Sequence, residues 1–459
     1  MQATDHADTS WAAPAATGPV KATVALPGSK SITNRALVLA ALADSPTTIT
    51  GPLLARDTDL MRRAVEALGA AVDSAANDHR AGNEVSSATP VASSRPSWSV
   101  TPGWARGSSR VDVGNAGTVM RFVPPAAALA GGDVEFSGDP RASDRPVGQL
   151  LAALRQAGVE VSDGGRSAIP FVVRGRGGAP GGRVRLDASS SSQLVSGLML
   201  SAPRYEAGIE IVHQGERIPS APHIAMTAAM LTAAGAEVES GTIGRGDRSV
   251  PDFWRVRPGR LAPATIDVEP DLSNAGPFLA AALVTGGELT IPGWPAVSLQ
   301  PAAQILGVLE QMGASTAITP DGLVIRGTGR IHGIRADLRD ISEVAPVLAA
   351  AAALADGPSE LTGIGHMRLH ECDRLAVLAA EIGALGGLVT ELPDGLQIEP
   401  RPLRAGAEPF DTHNDHRMVM AAAVLGLAVP GLRVRDAATV GKTFPEFLLR
   451  WQQMTGQAP

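Results

Sequence analysis

The stretch RRAVEALGAAV, residues 62–72, has a pattern that recurs along the whole chain and therefore indicates the fold. It is an Ala- and Leu-rich amphipathic helix that ends at a glycine and leads into a short strand. Glycine just beyond a helix commonly adopts the left-handed conformation that ends the helix. Five further copies, the last without its strand, end at glycines of the same kind, so the full set is Gly69, Gly158, Gly235, Gly313, Gly386 and Gly456.

The spacing of these glycines predicts how the chain is organised. They lie roughly 70–90 residues apart, which is too long for a solenoid repeat and suits a small α/β module. Alternating apolar strands such as DVEFSG (133–138) and a second set of Ala-rich helices occupy the intervals. We therefore predict an α/β (α+β) protein of six βαβ-type units, three per lobe. The sixth copy lacks a strand of its own, and we expect the N-terminal region to supply it.

Composition excludes several classes of function. The 459 residues are enough for two or three domains, and with only 3% aromatic residues the core must be built from Ala, Val, Leu and Ile. A single cysteine, Cys372, excludes a disulfide framework and a Cys-rich metal site. His413 and His416 have no third ligand at a recognisable spacing, so we expect no metal. A net charge of −7 argues against nucleic-acid binding through bulk charge.

The sequence contains no recognisable membrane or export segment. Its longest apolar run, 344–355, is interrupted by Pro346 and is shorter than the ~18 residues needed to span a bilayer. Residues 1–18 lack the basic start and the apolar stretch of a signal peptide. We expect a cytoplasmic protein with a flexible tail at 1–18 and an extended surface loop at 76–110, where Ser, Pro, Gly and Asn are frequent.

Polar and charged side chains are concentrated where seven Ala-rich helices begin. A helix N-terminus carries unpaired N–H groups and about half a positive charge, so it attracts anions. Several such ends in one cleft would suit a ligand with more than one phosphate or carboxylate. The seven segments are GSKSITNRALVLAALA (28–43), GNAGTVMRF (114–122), DRPVGQLLAAL (144–154), ASSSSQLVSGLML (188–200), DISEVAPVLAAAAALA (340–355), HECDRLAVLAAEI (370–382) and HNDHRMVMAAAVLGLA (413–428).

Helix capping explains part of this pattern. Ser190 with Gln193, and Asp340 with Glu343, have the three-residue spacing of a capping box. Capping does not explain basic side chains at helix starts, where they oppose the helix dipole. The most conspicuous of these cations are Lys30, Arg145, Arg374 and Arg417, with Lys442 further along the chain.

Eight motifs then identify a family. They are LPGSKSITNR, GNAGTVMR, DRP, SSSSQ, ERIPSAPH, ECDRL, NDHRM and KTFPEF, in this order over roughly residues 20–450. In them the chain resembles the 3-phosphoshikimate 1-carboxyvinyltransferases, the EPSP synthase family of enolpyruvyl transferases. The resemblance implies two similar lobes, each of three βαβαββ units, with the active site in the cleft between them. It implies that lobe 1 comprises 1–28 plus 270–459 and lobe 2 comprises 29–269.

The resemblance also implies an activity. The enolpyruvyl group of phosphoenolpyruvate passes to the 5-hydroxyl of shikimate 3-phosphate by addition and elimination, giving 5-enolpyruvylshikimate 3-phosphate and phosphate. This reaction belongs to the shikimate pathway, which leads to chorismate and the aromatic amino acids. The expected partners are these two anionic small molecules, with no cofactor, nucleic acid or membrane, and the protein is expected to be a monomer.

Roles carry over to the positions that match the family's motifs. Glu343 matches the base for the hydroxyl proton, where many relatives have Asp, while Lys30 and Glu371 match residues assigned to protonation and orientation of the enolpyruvyl group. The positions that match the shikimate-phosphate pocket are Lys30, Ser31, Arg35, Ser191, Ser192, Gln193, Ser220, Glu343 and His370. Those that match the phosphoenolpyruvate site are Lys30, Asn115, Gly117, Thr118, Arg145, Gln193, Arg374, His416, Arg417 and Lys442.

Three histidines depart from the family's pattern. His223 occupies a position where many relatives have Tyr, and His366 and His370 occupy positions that are often Asn and Lys. Because an imidazole supplies charge only when protonated, we expect affinity for shikimate 3-phosphate to weaken as the pH rises through ~6.5.

Two other functions are compatible with parts of the sequence. A UDP-N-acetylglucosamine enolpyruvyl transferase shares the fold and the enol donor, but that family typically carries a reactive cysteine in a mobile loop, whereas Cys372 lies at the charged start of a helix. A non-catalytic sensor of phosphorylated ligands would keep the cations without needing Glu343 and Glu371 together. The presence of both carboxylates favours an enzyme.

Overall fold

The six repeat glycines all have the left-handed backbone predicted for them, with φ between 73° at Gly456 and 111° at Gly69. They belong to a computed structural model that describes residues 10–75, 95–243 and 251–457. Each glycine follows the end of an α-helix, and the first five lead into a strand, as the sequence predicts. The repeated phrase is therefore a structural unit.

The α-helices occur in pairs, two for each repeat. The predicted starts of the Ala-rich helices are confirmed to within a few residues. In chain order the helices are α1 (Lys30–Ala41), α2 (Arg56–Ala67), α3 (Gly117–Ala127), α4 (Gly148–Gln156), α5 (Gln193–Ser201), α6 (Pro222–Ala233), α7 (Leu272–Thr285), α8 (Ile305–Gln311), α9 (Ala345–Ala352), α10 (Arg374–Ala384), α11 (His416–Ala428) and α12 (Phe447–Met454).

The strands are short and many. They are β1 (Trp11–Ala12), β2 (Lys21–Thr23), β3 (Thr47–Thr50), β4 (Ala71–Ala75), β5 (Ser97–Thr101), β6 (Ser109–Asp112), β7 (Asp133–Ser137), β8 (Val161–Ser162), β9 (Phe171–Arg174), β10 (Gly182–Leu186), β11 (Ile209–His213), β12 (Val238–Gly241), β13 (Phe253–Val256), β14 (Thr265–Asp267), β15 (Glu288–Ile291), β16 (Ser315–Thr319), β17 (Gly322–Arg326), β18 (Arg335–Asp337), β19 (Ser359–Thr362), β20 (Leu388–Leu392), β21 (Gly395–Glu399) and β22 (Arg433–Val434).

Within the described ranges these strands form five four-stranded sheets and one two-stranded sheet. Each four-stranded sheet contains one parallel pair, while its other neighbours are antiparallel, so each unit combines a βαβ crossover with a hairpin. The orders are β14-β3-β5-β4, β6-β7-β9-β8, β10-β11-β13-β12, β16-β17-β15-β2 and β18-β19-β21-β20. The chain is thus the mixed α/β protein predicted from its sequence.

The sixth unit differs from the other five. Its sheet consists of β22 and β1, which pair antiparallel, so the N-terminal region does supply a strand to the incomplete last copy, as expected. A second N-terminal strand, β2, pairs in parallel with β15 and completes the fourth unit. Likewise β14 returns to pair in parallel with β3 and completes the first unit. The first and the fourth units are thus each completed by a strand that is distant in sequence.

The buried apolar residues form two separate cores. One runs from Ile32 to Val268, and the other combines the N-terminal residues 13–24 with the chain from Leu272 onward. We call them the first and the second core. The chain passes between them twice, at positions joined by an antiparallel bridge between Gly28 and Pro270. A Cβ at Gly28 would lie 2.1 Å from the carbonyl oxygen of Gly51, so this crossing requires glycine. We propose these crossings as the lobe boundaries.

Two predicted irregular stretches are partly regular. Strand β5 falls inside the expected loop 76–110, and its alternating residues Trp98 and Val100 are buried in the sheet, so the loop prediction is wrong there; residues 76–94 lie outside the described residues. The tail prediction is wrong for the stretch from Trp11, which pairs with β22, while Ala13 is buried in the second core. Residues 1–9 also lie outside the described residues.

Candidate active site

The helix starts that carry the predicted cations meet at one cavity between the two cores. The cavity has a volume of about 60 Å³, and its walls come from both sides of the molecule. Helices α1, α3, α5, α10 and α11 contribute residues from or near their starts, and Glu343 comes from the end of the 3₁₀-helix that precedes α9. The predicted site residues that line it are Lys30, Gly117, Thr118, Arg145, Ser191, Gln193, Glu343, His370, Glu371, Arg374, His416 and Arg417.

One wall is an ion-pair network around Glu371. Lys442 Nζ lies 2.7 Å from its Oε1, and Arg374 Nη2 lies 3.1 Å from its Oε2. Arg374 is held in place by Asp415, which accepts from its Nε at 2.8 Å. Burial alone would raise the pKa of Glu371, but the positive charges of Lys442 and Arg374 outweigh burial and hold that pKa well below its usual range. Glu371 is therefore ionised in this state.

A second wall forms at the start of α3. Arg145 Nη1 donates to the backbone oxygen of Asn115 at 2.7 Å and to its Oδ1 at 3.0 Å, and Lys442 Nζ donates to the same backbone oxygen at 3.1 Å. Lys442 lies in the part of the chain that forms the second core, and Asn115 lies in the part that forms the first. Their hydrogen bond therefore joins the two parts beside the cavity. A Cβ at Gly117 would lie 2.6 Å from Arg145 Nη2. Glycine therefore lets the arginine approach the helix start.

The start of α11 carries Arg417 and His416. Asp415 caps this helix by accepting from the backbone N–H of Arg417 at 2.8 Å, which fixes the direction of the side chains that follow. Arg417 donates to the backbone oxygen and the hydroxyl of Ser273 at 2.9 and 2.6 Å. Burial and the charge of Arg417 lower the pKa of His416 well below its usual range, so His416 is neutral.

Lys30 begins α1 close to Lys442, because the ammonium groups of both lysines lie within 4.0 Å of the carboxylate of Asp57. Lys30 Nζ lies 3.4 Å from Asp57 Oδ2, and its backbone N–H donates to Asp271 Oδ2 at 3.0 Å. The Ser29 hydroxyl caps the helix by accepting from the N–H of Ile32. Lys30 lines the cavity. The side chains of Ser29 and Asp271 hold the start of its helix in place.

The carboxylate of Glu343 lines the cavity and is only weakly paired. Its one ion-pair partner among the described residues is His223, whose Nε2 lies 4.0 Å from Oε2. Burial alone would raise the pKa of Glu343, but the attraction of His223, Arg417 and Lys30 lowers it. Because burial also lowers the pKa of His223 to about 4, the imidazole is neutral at pH 7 and the lasting attraction is that of Arg417 and Lys30.

Several residues predicted for the site lie behind the cavity wall. Arg35 is fully buried, and its guanidinium donates to Thr227 Oγ1 at 2.7 Å and to the backbone oxygen of Ser31 at 2.9 Å. Its contribution to the site here is to pack α1 against α6, and direct contact with a substrate stays a prediction. The predicted residues outside the cavity lining are Ser31, Arg35, Asn115, Ser192, Ser220 and Lys442.

Sequence reasoning missed Arg121 and Asp57, which also line the cavity. Arg121 Nη1 donates to Gln193 Oε1 at 2.9 Å, and burial with the neighbouring charge of Arg145 lowers its pKa to about 9. It lies within the motif GNAGTVMR, so an arginine inside an otherwise apolar helix was a usable signal. Asp57 gave no such signal, since an acid in the first turn of a helix is ordinary dipole compensation.

The three unusual histidines are neutral. Burial lowers the pKa of His366 to about 4 and, together with the charge of Arg374, lowers that of His370 well below its usual range. Arg374 Nη1 lies 3.1 Å from His370 Nδ1, and because a guanidinium can only donate, Nδ1 must be an unprotonated acceptor. The sequence predicts that His370 loses its positive charge near pH 6.5. In this state that prediction is wrong, because His370 is already neutral at this pH.

The alternatives weighed on the sequence find little support in the site. Burial and the nearby Asp415 raise the pKa of the Cys372 thiol, whose Sγ contacts Asp415 Oδ2, so it lacks the properties of a reactive cysteine. Among the described residues no group of three His, Cys, Asp or Glu side chains is arranged to hold a metal ion. The same residues include no helix that is long and apolar enough to cross a membrane.

Comparison with known proteins agrees with this chemistry. The family model of EPSP synthase (3-phosphoshikimate 1-carboxyvinyltransferase) matches residues 14–451. The chain belongs to the EPSP synthase family. It is accordingly a transferase that moves the enolpyruvyl group of phosphoenolpyruvate to the 5-hydroxyl of shikimate 3-phosphate in the shikimate pathway, which leads to the aromatic amino acids.

Solved structures share the fold of this EPSP synthase family member. An EPSP synthase from Acinetobacter baumannii superposes with a TM-score of 0.71 at 23% identity, covering 97% of each chain. The enolpyruvyl transferase NikO from Streptomyces tendae superposes with a TM-score of 0.67 at 16% identity, covering 96% of each chain. At such identities the superpositions support the shared two-lobe architecture, and the roles of individual residues rest on the site itself.

Proposed function

We propose that Glu343 is the base of the addition step. The observation behind the proposal is that an ionised, weakly paired carboxylate and five basic side chains share one cavity. Glu343 accepts the proton of the 5-hydroxyl as that oxygen bonds to C2 of phosphoenolpyruvate. Its lowered pKa keeps it ionised at neutral pH, and since no lysine or arginine of the described residues lies within 4.0 Å of its carboxylate, the oxygens can accept a hydrogen bond from the hydroxyl.

The second proton transfer, to C3 of phosphoenolpyruvate, involves Lys30 and Glu371. Glu371 is ionised while Lys442 and Arg374 are paired with it, so it holds no proton to give in this state. The carboxylate and phosphate of phosphoenolpyruvate compete for the same two cations. When the substrate takes them, the attraction that lowers the pKa of Glu371 weakens while burial persists, and the carboxyl can then hold a proton. Lys30, which shares the neighbour Asp57 with Lys442, is the alternative donor.

The basic side chains then bind and stabilise the charged intermediate. Addition gives a tetrahedral carbon that bears the ether oxygen, a methyl group, the carboxylate and the phosphate. Loss of a proton from the methyl group and cleavage of the C2–O bond to phosphate give the enolpyruvyl ether and inorganic phosphate. Arginine binds carboxylate and phosphate through two parallel hydrogen bonds, and fixed cations in a water-poor cavity stabilise this charge. We assign this task to Arg145, Arg374, Arg417 and Lys442.

The shikimate-phosphate pocket is proposed at the start of α5, with Ser191 and Gln193 in the cavity wall. Ser220 approaches from the loop before α6, and its N–H donates to the backbone oxygen of Arg339 in the second core. The Ser220 hydroxyl lies 3.3 Å from that of Ser342, the residue before Glu343, which supports a position for the 5-hydroxyl beside Glu343. His370 contributes as a neutral hydrogen-bonding group.

Two broader properties are proposed on indirect grounds. The cavity is complete within one chain, so a monomer suffices for activity. The one cysteine is buried and free, which suits a reducing compartment, and we propose a cytoplasmic location.

Phosphate release from phosphoenolpyruvate tests the assignment. We expect release with shikimate 3-phosphate and none with UDP-N-acetylglucosamine as acceptor. In Glu343→Gln, kcat should fall by about 10²–10⁴, the usual contribution of a general base. Asp340→Asn is the matched control, because Asp340 lies three residues away in the same 3₁₀-helix and outside the cavity lining. Wild-type release by Glu343→Gln would refute the base assignment.

A further inference from the structure

Arg141 reaches from the first core to the backbone of the second. It lies in the 3₁₀-helix Pro140–Asp144, just before Arg145. Its Nε donates to the backbone oxygen of Glu371 at 3.1 Å, and its Nη2 lies 3.4 Å from the backbone oxygen of His370. The third nitrogen, Nη1, pairs with Asp144 at 3.2 Å. One guanidinium therefore spans two consecutive carbonyl groups across the cleft.

The two carbonyl groups belong to the segment that sets the direction of Glu371. This segment is a short irregular connection between the 3₁₀-helix Gly365–Leu369 and the start of α10 at Arg374, and its backbone is extended at His370. Both His370 and Glu371 line the cavity. Holding the two consecutive carbonyls fixes the peptide plane from which the Glu371 side chain projects toward Lys442.

The cations of the site are shielded from bulk solvent. Arg374, Arg417 and Lys442 have residue exposures of only 2%, 3% and 7%. Separation of the cores to admit a substrate would break the contacts that cross between them, including those of Arg141, and closing would form these contacts again before the reaction. A hydrogen bond made only in the closed state stabilises that state alone.

We infer that Arg141 is a positioning residue that couples closing of the cleft to the orientation of Glu371. The inference rests on the proposed role of Glu371 in handling the enolpyruvyl group. The contacts of Arg141 go to the backbone oxygens of His370 and Glu371 and to Asp144, so it acts through the backbone it holds. Lysine would reach one carbonyl at a time, whereas the planar guanidinium binds both.

The test compares Arg141→Met with Arg155→Met. Arg155 is a close match because its side chain is 41% exposed, against 39% for Arg141, and it also donates to a backbone carbonyl, that of Val161. The Arg155 contacts, including its ion pair with Asp163, stay within the first core. Three quantities are measured for each variant: kcat/KM for phosphoenolpyruvate, the thermal midpoint, and the radius of gyration by small-angle scattering with and without both substrates.

In Arg141→Met we expect kcat/KM for phosphoenolpyruvate to fall about tenfold, mainly through kcat, with little change in thermal midpoint. The decrease in radius of gyration on adding substrates should become smaller. Arg141→Lys should recover part of the activity. Arg155→Met should lower the thermal midpoint, because Asp163 loses its partner, and leave kcat/KM and closing unchanged.

Wild-type kcat/KM and closing in Arg141→Met would overturn the inference. So would an activity loss that follows the thermal midpoint equally in both arginine variants, because that indicates a structural role only. Glu371→Gln separates this inference from the proposed function. If Glu371→Gln keeps full activity, the proposed role of Glu371 is wrong. A smaller decrease in radius of gyration in Arg141→Met would then show that Arg141 contributes to closing of the cleft but not to the orientation of a catalytic carboxylate.

Discussion

Lys442 Nζ lies 2.7 Å from Glu371 Oε1, and each side chain is only 7% exposed. Lys442 ends a 3₁₀-helix near the C-terminus, whereas Glu371 precedes α10, so 71 positions separate the two residues in sequence. A pair this well buried differs from a surface ion pair, because each charge depends on the other for compensation. The same two residues are proposed to act on the substrate, so the pair stabilises the fold and tunes the site together.

Removing both members of this pair should cost less than the sum of the costs of removing each alone. Lys442→Met or Glu371→Gln alone should lower the free energy of unfolding by about 3 kcal/mol, because a buried charge loses its partner. The double variant should lose less than the sum of the single losses by at least about 1 kcal/mol. Urea unfolding of the four proteins measures this coupling. The half-exposed pair Arg62–Glu66 is the control and should show a coupling of about 0.5 kcal/mol or less; equal couplings for the two pairs would contradict the prediction.

Gly117→Ala should weaken phosphoenolpyruvate binding without harming the fold. The new methyl group would lie 2.6 Å from Arg145 Nη2 and 2.7 Å from Arg121 Nη1, so both guanidinium groups must shift. Loss of a well-aligned arginine contact should raise KM for phosphoenolpyruvate by about tenfold. Gly307→Ala is the control, because Gly307 lies in α8 with open space around its missing Cβ. Steady-state kinetics check the prediction, and an unchanged KM in Gly117→Ala would refute it.

His370 should contribute to shikimate 3-phosphate binding equally at pH 5.5 and pH 8.5. Arg374 donates to its Nδ1, and burial with that same charge lowers its pKa well below the usual range, so the imidazole stays neutral across this interval. The substrate phosphate titrates near pH 6, so absolute affinities will change with pH. The informative quantity is the ratio of dissociation constants between His370→Asn and wild type. A ratio that rises severalfold toward pH 5.5 would show that bound substrate protonates His370.

Buried neutral histidines should make the protein sensitive to mild acid. Burial lowers the pKa of both His223 and His366 to about 4, whereas an unfolded histidine titrates near 6.5. Between these values the unfolded chain binds more protons, so their contribution is fully present above pH 6.5 and is lost as the pH falls toward 4. Each contributes a slope of up to about 1.4 kcal/mol per pH unit.

Urea unfolding at pH 7.5, 6.5 and 5.5 measures this effect. The variant His223→Gln with His366→Asn should lose less stability between pH 6.5 and 5.5 than the wild type. His332, an exposed histidine paired with Asp356, supplies the control variant His332→Asn. If the double variant and the wild type lose stability in parallel, the acid sensitivity has another origin.

The local features of the fold could be predicted because each depends on neighbours in sequence. A glycine such as Gly158 ends its helix by adopting a positive φ that other residues avoid, and this requires no distant partner. The cations at the starts of α1, α10 and α11 could be identified from the sequence for the same reason. A basic side chain at a helix N-terminus is unfavourable with respect to the helix dipole, and this is recognised from neighbouring residues alone. The loop prediction failed at Ser97–Thr101 because SWSVT is a strand only through its pairing with β3 and β4.

The repeats, the family and the residues that carry charge into the site could all be read from the order of the amino acids. Which of those charges face one another follows from how the helices pack. Asp57 reads as an ordinary helix-start acid, yet packing places it 3.4 Å from Lys30. His370 reads as a residue that would titrate near neutrality, yet burial beside Arg374 keeps it neutral. Helix caps and strand patterns follow from neighbours in sequence, whereas desolvation and Coulomb energies depend on burial and on distances in space, which folding sets whatever the separation in sequence.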